Sequence, residues 1–342
     1  MNALVTGGAG YIGSNLCDAL LERGYTVSVI DNLSTGSLSN IAHLQGDPRF
    51  RFVRGCILDS PELPELVRRA DKVFHLAAAV GVKYICDDPL TGMIVNIRGT
   101  ERVMEHAARY GKRTVIASSS EVYGKSNGTP LREDAERVLG PTHINRWSYS
   151  ISKAIDEHVA YAYAAQGMPV SIVRYFNSYG PRISENGYGS VVAQFTRQAL
   201  AGEPITVHGN GQQTRSFTFV ADTVRGTILA NEVPEAIGDV FNVGSEYEVT
   251  ILELARMVRD LTGSRSEIVY EPHWKYYGES YEDTARRRPD TTKSARILGF
   301  RASTPLREGL KRTIEWCREH YAAARVSRPE PVFAPIAEPI AA

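Results

Sequence analysis

Asn2-Ala3-Leu4-Val5-Thr6-Gly7-Gly8-Ala9-Gly10-Tyr11-Ile12-Gly13 runs from a short apolar stretch into a glycine-rich turn, and a helical pattern follows to about Arg23. Strand, glycine turn and helix in that order are the context of a dinucleotide fingerprint. Gly7 permits the tight turn, Gly10 lets a pyrophosphate approach the backbone, and Gly13 lets the helix pack close to the sheet. The helix N-terminus offers N–H groups and a partial positive charge to phosphates.

Working outward, Tyr25 to Ile30 read as a second strand that Asp31 ends, eighteen residues after Gly13. A carboxylate there meets the adenosine ribose hydroxyls. No Arg or Lys follows until Arg49, so nothing nearby in sequence receives a 2′-phosphate, and NAD is expected rather than NADP. Further apolar runs read as strands at Phe52–Arg54, Val73–Leu76, Thr114–Ala117 and Val170–Arg174, with helical patterns between them. This alternation predicts an α/β fold, a Rossmann-type doubly wound parallel sheet with right-handed crossovers. Ligands then bind beyond the carboxyl ends of the strands. Asp31, His75 to Ala78, Ser118 to Glu121 and Asn177 all follow strand ends.

A second feature lies at Trp147-Ser148-Tyr149-Ser150-Ile151-Ser152-Lys153, where a helical pattern begins. A spacing of four puts Tyr149 and Lys153 on one helix face. A nearby cation favours phenolate over phenol, so the expectation is a Tyr149 pKa drawn from about 10 towards neutrality. Such a tyrosine can take a proton from a substrate hydroxyl. Taken alone, the pair reads first as one aromatic and one lysine on a helix.

Composition narrows the class. The 342 residues fit one large domain, or one with a smaller lobe. Lys and Arg total 39 and so do Asp and Glu, leaving no basic tail or stripe to suggest nucleic acid. No apolar stretch approaches membrane-spanning length. Cys17, Cys56, Cys86 and Cys317 are scattered, with neither metal-ligand spacing nor a disulfide framework, so a reducing cytoplasm is expected. The end of the chain, 325–342, is rich in Pro and Ala and is expected to be a disordered tail.

The spacing Gly-x-x-Gly-x-x-Gly together with Tyr149 and Lys153 resembles the extended branch of the short-chain dehydrogenase/reductase superfamily, the NAD-dependent nucleotide-sugar epimerases and dehydratases. His75-Leu76-Ala77-Ala78, Asn96, Ser118 to Gly124, Arg174-Tyr175-Phe176-Asn177, Gln213-Thr214-Arg215-Ser216-Phe217 and Arg287-Arg288-Pro289-Asp290 extend the resemblance from Asn2 to about Arg318. It implies an NAD-binding domain of 1–177 plus 213–244, and a smaller C-terminal α/β lobe of 178–212 plus 245–322 for the nucleotide sugar. It implies NAD contacts at Gly7, Gly10, Tyr11, Ile12, Gly13, Asp31, Asn32, Ser34, Gly36, Cys56, Ile57, Leu76, Ala77, Ala78, Asn96, Tyr149, Lys153 and Tyr175. Cys56 departs from the family's usual Asp, so adenine contact there falls to backbone or Ile57. The helical patterns at Asn96–Tyr110 and Ser148–Gln166 resemble the family's four-helix dimer interface, so a homodimer is expected.

At the reacting end the resemblance gives Ser119, Tyr149 and Lys153 the catalytic positions. Tyr149 removes the sugar 4-OH proton while C4 gives hydride to NAD, leaving a 4-keto sugar. Glu121 stays open: it orients water or sugar, or braces the loop. Asn177, Arg215 and Arg287 match pyrophosphate contacts, and Ile205 to Val207 resembles the strand whose backbone reads uracil. Ser120, Arg182 and Val192 complete the expected substrate contacts.

The step after the ketone separates family members. Ser119-Ser120-Glu121 lacks the acid of glucose-type 4,6-dehydratases. Arg146-Trp147, Gly180-Pro181-Arg182 and Gln213 to Phe217 resemble UDP-glucuronate enzymes, including the decarboxylases. Gly189-Ser190 before Val191-Val192 departs from the decarboxylases' Gly-Arg. The leading expectation is therefore 4-epimerisation of a UDP-sugar, UDP-glucuronate or UDP-glucose. Decarboxylation of UDP-glucuronate is the alternative, and a 4,6-dehydratase stands behind both.

Overall fold

The computed structural model describes residues 1–126, 128–184, 190–278 and 281–321. The 325–342 tail and most of the 184–190 loop lie outside the described residues.

Six strands alternate with helices through the first half of the chain: β1 (Asn2–Thr6), α1 (Tyr11–Glu22), β2 (Thr26–Asp31), β3 (Phe50–Arg54), α2 (Leu63–Arg69), β4 (Lys72–His75), α3 (Val82–Asp87), α4 (Pro89–Arg109), β5 (Arg113–Ser119), α5 (Arg146–Ala165) and β6 (Val170–Tyr175). The short β7 (Ser178–Tyr179), α6 (Val191–Ala201), β8 (Ile205–His208), β9 (Thr214–Ser216), β10 (Thr218–Phe219) and α7 (Val220–Glu232) follow, and β11 (Val240–Val243) then returns to the large sheet. That sheet is parallel throughout, in the order β11-β6-β5-β4-β1-β2-β3. The winding reverses between β1 and β4, so a crevice opens beyond Thr6 and His75, where an open α/β sheet binds its ligands.

Both faces of the sheet are covered. Ala3 and Val5 of β1 belong to one core and Leu4 to the other, as the two-residue period of a strand requires. On one side α1 packs against α7; on the other α4 packs against α5 and α2.

The smaller part is built from β8 paired in parallel with β13 (Ile268–Glu271), flanked by α6, α8 (Ile251–Thr262) and α11 (Leu306–His320). A capping box starts α8: Thr250 Oγ1 accepts from Glu253 N, and the Glu253 carboxylate accepts from Thr250 N. Gly263, at φ +69°, ends it. A three-stranded sheet joins the parts, with β9 between β12 (Glu248–Thr250, antiparallel) and β14 (Arg286–Arg287, parallel). We propose the division expected from the sequence, with one amendment. Within 245–322, α10 (Thr292–Leu298) packs on β11 and α7, Lys293 pairs with Asp239, and Ser294 Oγ donates to Asn242 O at 2.5 Å, so that helix belongs to the large part.

Candidate active site

The glycine turn sits at the mouth of the crevice. Gly7 has φ +74°, and a Cβ on it would stand 2.8 Å from Ala77 N. A Cβ on Gly13 would stand 2.8 Å from Gly8 Cα and would strike Gly7 O; one on Gly36 would stand 2.8 Å from Ala9 C. Helix α1 begins at Gly10 with no side chain capping its first turn. A turn too tight for side chains, leading to a helix end that no side chain caps, fits a pyrophosphate. Asp31 ends β2, and its two oxygens accept from Ala9 N at 2.9 Å and Leu33 N at 2.7 Å. Burial lifts its carboxyl above the ordinary value while those N–H groups oppose the rise. Asp31 therefore braces the turn as well as facing the crevice. Ser34 N donates to the Asn32 carboxamide oxygen at 3.0 Å.

Beyond β4, Leu76 N donates to Thr6 O and Ala77 N to Thr6 Oγ1, which draws the Leu76-Ala77-Ala78 segment to the end of β1. Ile12 is partly buried against the core, and Tyr11 reaches across to Ser178, hydroxyl to hydroxyl at 3.2 Å.

Two of the expected cofactor contacts, Asn96 and Tyr175, have side chains engaged elsewhere. Asn96 is fully engaged: its carboxamide accepts from Ala79 N at 2.7 Å and donates to Ala79 O and Ser152 Oγ at 3.2 Å. It shapes the loop after β4. Tyr175 turns to α7, where its hydroxyl meets Thr227 Oγ1 at 2.7 Å. The Ile57 side chain is core beneath Gly99 of α4, leaving its backbone for adenine. Cys56 is half-buried at the start of that turn.

At the reacting end, β5 delivers Ser119 and a short 3-10 turn, Ser120–Tyr123, follows; Ser119 Oγ accepts from Glu121 N at 3.2 Å. Ser120 is buried beneath it. Helix α5 brings Tyr149 beside Ser119. The expected fall in the Tyr149 pKa does not occur. Burial raises it first; Lys153 opposes, Glu121 and Asp156 add to the rise, and the phenol stays above its ordinary 10.0. Lys153 Nζ donates to Asp156 Oδ2 at 3.0 Å, with both side chains buried. Burial works against the Lys153 charge, but Asp156 and then Tyr149 outweigh it and hold the ammonium above its ordinary value.

Glu121 lies between two arginines, with Arg287 Nη1 at 2.5 Å and Arg146 Nη2 at 2.8 Å. Burial alone would raise its carboxyl; Arg146 and Arg287 outweigh that and hold it down to about 2. Near neutral pH it is a fixed anion rather than a proton carrier. Arg215, in register with Arg287 across β9 and β14, donates to Asp283 Oδ1 and to Thr214 O, both at 2.7 Å. Burial draws its pKa down. Three guanidiniums thus meet two carboxylates, leaving one positive charge at the end of the crevice. The Arg146 guanidinium also lies 5.4 Å from the centre of the Tyr281 ring.

Among the expected substrate contacts, Arg182 is corrected. Arg182, with φ +71°, points to the outer side of α1: Nη2 donates to Asp18 Oδ2 at 2.6 Å and lies 3.3 Å from His43 Nε2. It is not part of the arginine cluster. Asn177, with φ +30°, gives one amide hydrogen to Ser216 O at 3.1 Å, leaving its second for a ligand. The side chains of Val192, Ile205 and Val207 are wholly core, so β8 can offer a base only its backbone. The Asp290 carboxylate accepts from Thr292 N at 2.8 Å at the first residue of α10. The sequence reading missed Asp156 and Asp283, whose only signal was an acid near a functional cation, and it used Arg146 as a family mark rather than as the partner of Glu121.

The family model described as GDP-mannose 4,6 dehydratase matches residues 4–313. The chain belongs to that family. The family spans many nucleotide-sugar reactions on this same extended short-chain dehydrogenase/reductase fold, so membership leaves the reaction open. A UDP-N-acetyl-α-D-glucosaminuronate decarboxylase of Bacillus cytotoxicus is 42% identical over 316 residues, which cover 92% of this chain and 97% of that protein. UDP-glucuronic acid decarboxylase 1 of Danio rerio is 37% identical, over 92% of this chain and 72% of that one. Among solved structures, a UDP-glucuronic acid 4-epimerase from Bacillus cereus, in complex with UDP-glucuronic acid and NAD, superposes with a TM-score of 0.84 at 30% identity, covering 93% of this chain and 99% of that one. The chain is thus an enzyme of the NAD-dependent nucleotide-sugar epimerase, dehydratase and decarboxylase group.

Proposed function

We propose that this protein is an NAD-dependent decarboxylase of a UDP-uronate that works through a 4-keto sugar. The observation that carries this reading is the likeness, over nearly the whole of both chains, to a decarboxylase of UDP-N-acetyl-α-D-glucosaminuronate. The surplus positive charge among Arg146, Arg215 and Arg287 agrees, because the substrate brings a carboxylate as well as two phosphates. Sequence motifs alone put 4-epimerisation first; the relatives reverse that order.

When bound on the Gly7–Gly13 turn, NAD supplies an acceptor for the hydride of sugar C4. Tyr149 takes the proton of the 4-hydroxyl as its phenolate, the form that Lys153 and the positive charge of bound NAD would favour over the phenol of the free protein, and Ser119 holds the 4-oxygen through its own hydroxyl. With C4 a ketone β to the carboxylate, the C5–C6 bond breaks, CO₂ leaves, and the electron pair passes into the C4 carbonyl. Protonation at C5 from solvent completes the decarboxylation, and return of the hydride to C4, with the proton held by Tyr149, restores the 4-hydroxyl, so that only CO₂ is lost. Glu121 does not titrate in this scheme; it fixes Arg146 and Arg287 so that their remaining N–H groups face the sugar. Arg215, Arg287 and Asn177 hold the diphosphate.

Epimerisation at C4 is the second reading. Gly189-Ser190 before Val191 and the likeness to the Bacillus cereus 4-epimerase favour it. Separate incubation with UDP-glucuronate and UDP-N-acetylglucosaminuronate, followed by mass and proton NMR, decides between them. A product lighter by one CO₂ is expected. An unchanged mass with altered coupling at the C4 proton would replace this reading by epimerisation, and a product lighter by one water would replace it by dehydration.

A further inference from the structure

Lys153 does not stand alone beneath Tyr149. Asp156, one turn further along α5, accepts from its ammonium at 3.0 Å, and both side chains are buried. The second carboxylate oxygen, Asp156 Oδ1, is buried and meets no hydrogen-bond donor among the described residues. Thr100 of α4 lies beside it, with Oγ1 3.0 Å from His75 Nε2. His75 is buried, and burial holds its imidazole neutral, at about 3. Its Nδ1 is hydrogen-bonded to Thr6 Oγ1 at 2.7 Å, and Thr6 Oγ1 accepts from Ala77 N.

We propose that Asp156 is a positioning residue that holds the Lys153 ammonium beneath Tyr149. In the free protein, Lys153 is therefore committed to Asp156, and its charge is shared before it can act on Tyr149. The inference rests on the reading of Tyr149 as the base, though on no particular reaction after the ketone. The groups that face this pair are few. On α5 they are Asp156 and Glu157, the latter paired with Arg174 of β6 at 2.7 Å; the turn after β5 brings Glu121, itself held by Arg146 and Arg287. Strand β4 brings the neutral His75, and α4 faces the pair with Asn96 and Thr100.

The test is a titration of the free protein, without substrate, by the phenolate absorbance difference between the unmodified protein and Tyr149→Phe. Tyr149 is expected to ionise above pH 10 in the unmodified protein. In Asp156→Asn, which keeps the shape and removes the charge, its ionisation is expected to fall by roughly one pH unit, and the acid limb of the pH–rate profile to move with it. Ionisation of Tyr149 below pH 10 in the unmodified protein overturns the inference, and that measurement stands whether or not the variant folds. A folded Asp156→Asn with unmoved titration overturns it too, even if its turnover drops. A titration that behaves as expected beside a product that is not decarboxylated leaves Asp156 in place and removes only the reaction proposed above.

Discussion

Tyr149 shows how far one residue's neighbourhood can reverse what its spacing suggests. The Tyr149–Lys153 interval is legible in the sequence; the burial, Glu121 and Asp156 that raise its pKa are not, because they come from other turns and other elements. Replacing Tyr149 by Phe is expected to leave the melting temperature unchanged and to cut turnover by about 10²–10⁴-fold, the usual worth of a general base. Stopped or steady-state assays on the purified variant check this, and undiminished turnover would remove Tyr149 from the chemistry. Glu121 makes a different prediction. Its folded-state carboxyl lies at about 2 against an ordinary 4.5. It therefore contributes stability that is complete above pH 4.5 and is lost as pH falls towards 2. Linkage puts this at roughly 3 kcal/mol. Denaturant midpoints measured through that window should fall, and Glu121→Gln should flatten the fall while lowering stability at neutral pH, because two buried guanidiniums lose their partner. Arg182 carries the opposite lesson. Its sequence neighbours resemble a substrate loop, yet Asp18 and His43 hold it elsewhere, and no local motif records which way a side chain turns.

Among the elements, β1 was read to the residue and the other large-sheet strands to within a residue or two, because β-branched runs buried on both faces leave little ambiguity. The long helices were found with late starts. Helix α4 begins at Pro89 rather than Asn96, since Pro at a first helical turn after the capping Asp88 reads locally as a break. The short strands β7, β9, β10, β12 and β14 were not legible; two or three residues carry no period, and only partners far along the chain define them. Two elements give sharp expectations. Gly13→Ala drives a methyl into the backbone of Gly7 and Gly8, so cofactor affinity measured by calorimetry should drop by more than about tenfold, with a stability cost of roughly 1–3 kcal/mol. Thr250→Ala removes half of the α8 capping box and should cost about 1 kcal/mol in denaturant unfolding, with turnover unaffected.

Over the whole molecule, the crevice, the winding of the sheet and the turn at Gly7 follow from the order of strands, and that order is written in the alternation of patterns. The arginine cluster is not written so plainly. It needs β9 and β14 to meet although seventy-odd positions part them, and it needs α5 to bring Arg146 to the same point. The expected association belongs to this scale as well. Helices α4 and α5 lie side by side, and Leu90 and Tyr161 on them are exposed. We propose that this pair forms a homodimer interface. Sedimentation should give twice the 37.7 kDa of the chain, and a monomer at micromolar concentration would count against the pairing.

The strand that places Arg287 beside Arg215 is only two residues long, and arginines precede and follow Arg287. A one-residue slip in such a short ladder would ordinarily exchange the side chain on the working face for an unrelated one. Here the substitute would again be a guanidinium, Arg286 or Arg288. The chain thus carries a guanidinium on either side of Arg287, so a slip of one residue would still bring a positive charge beside Arg215.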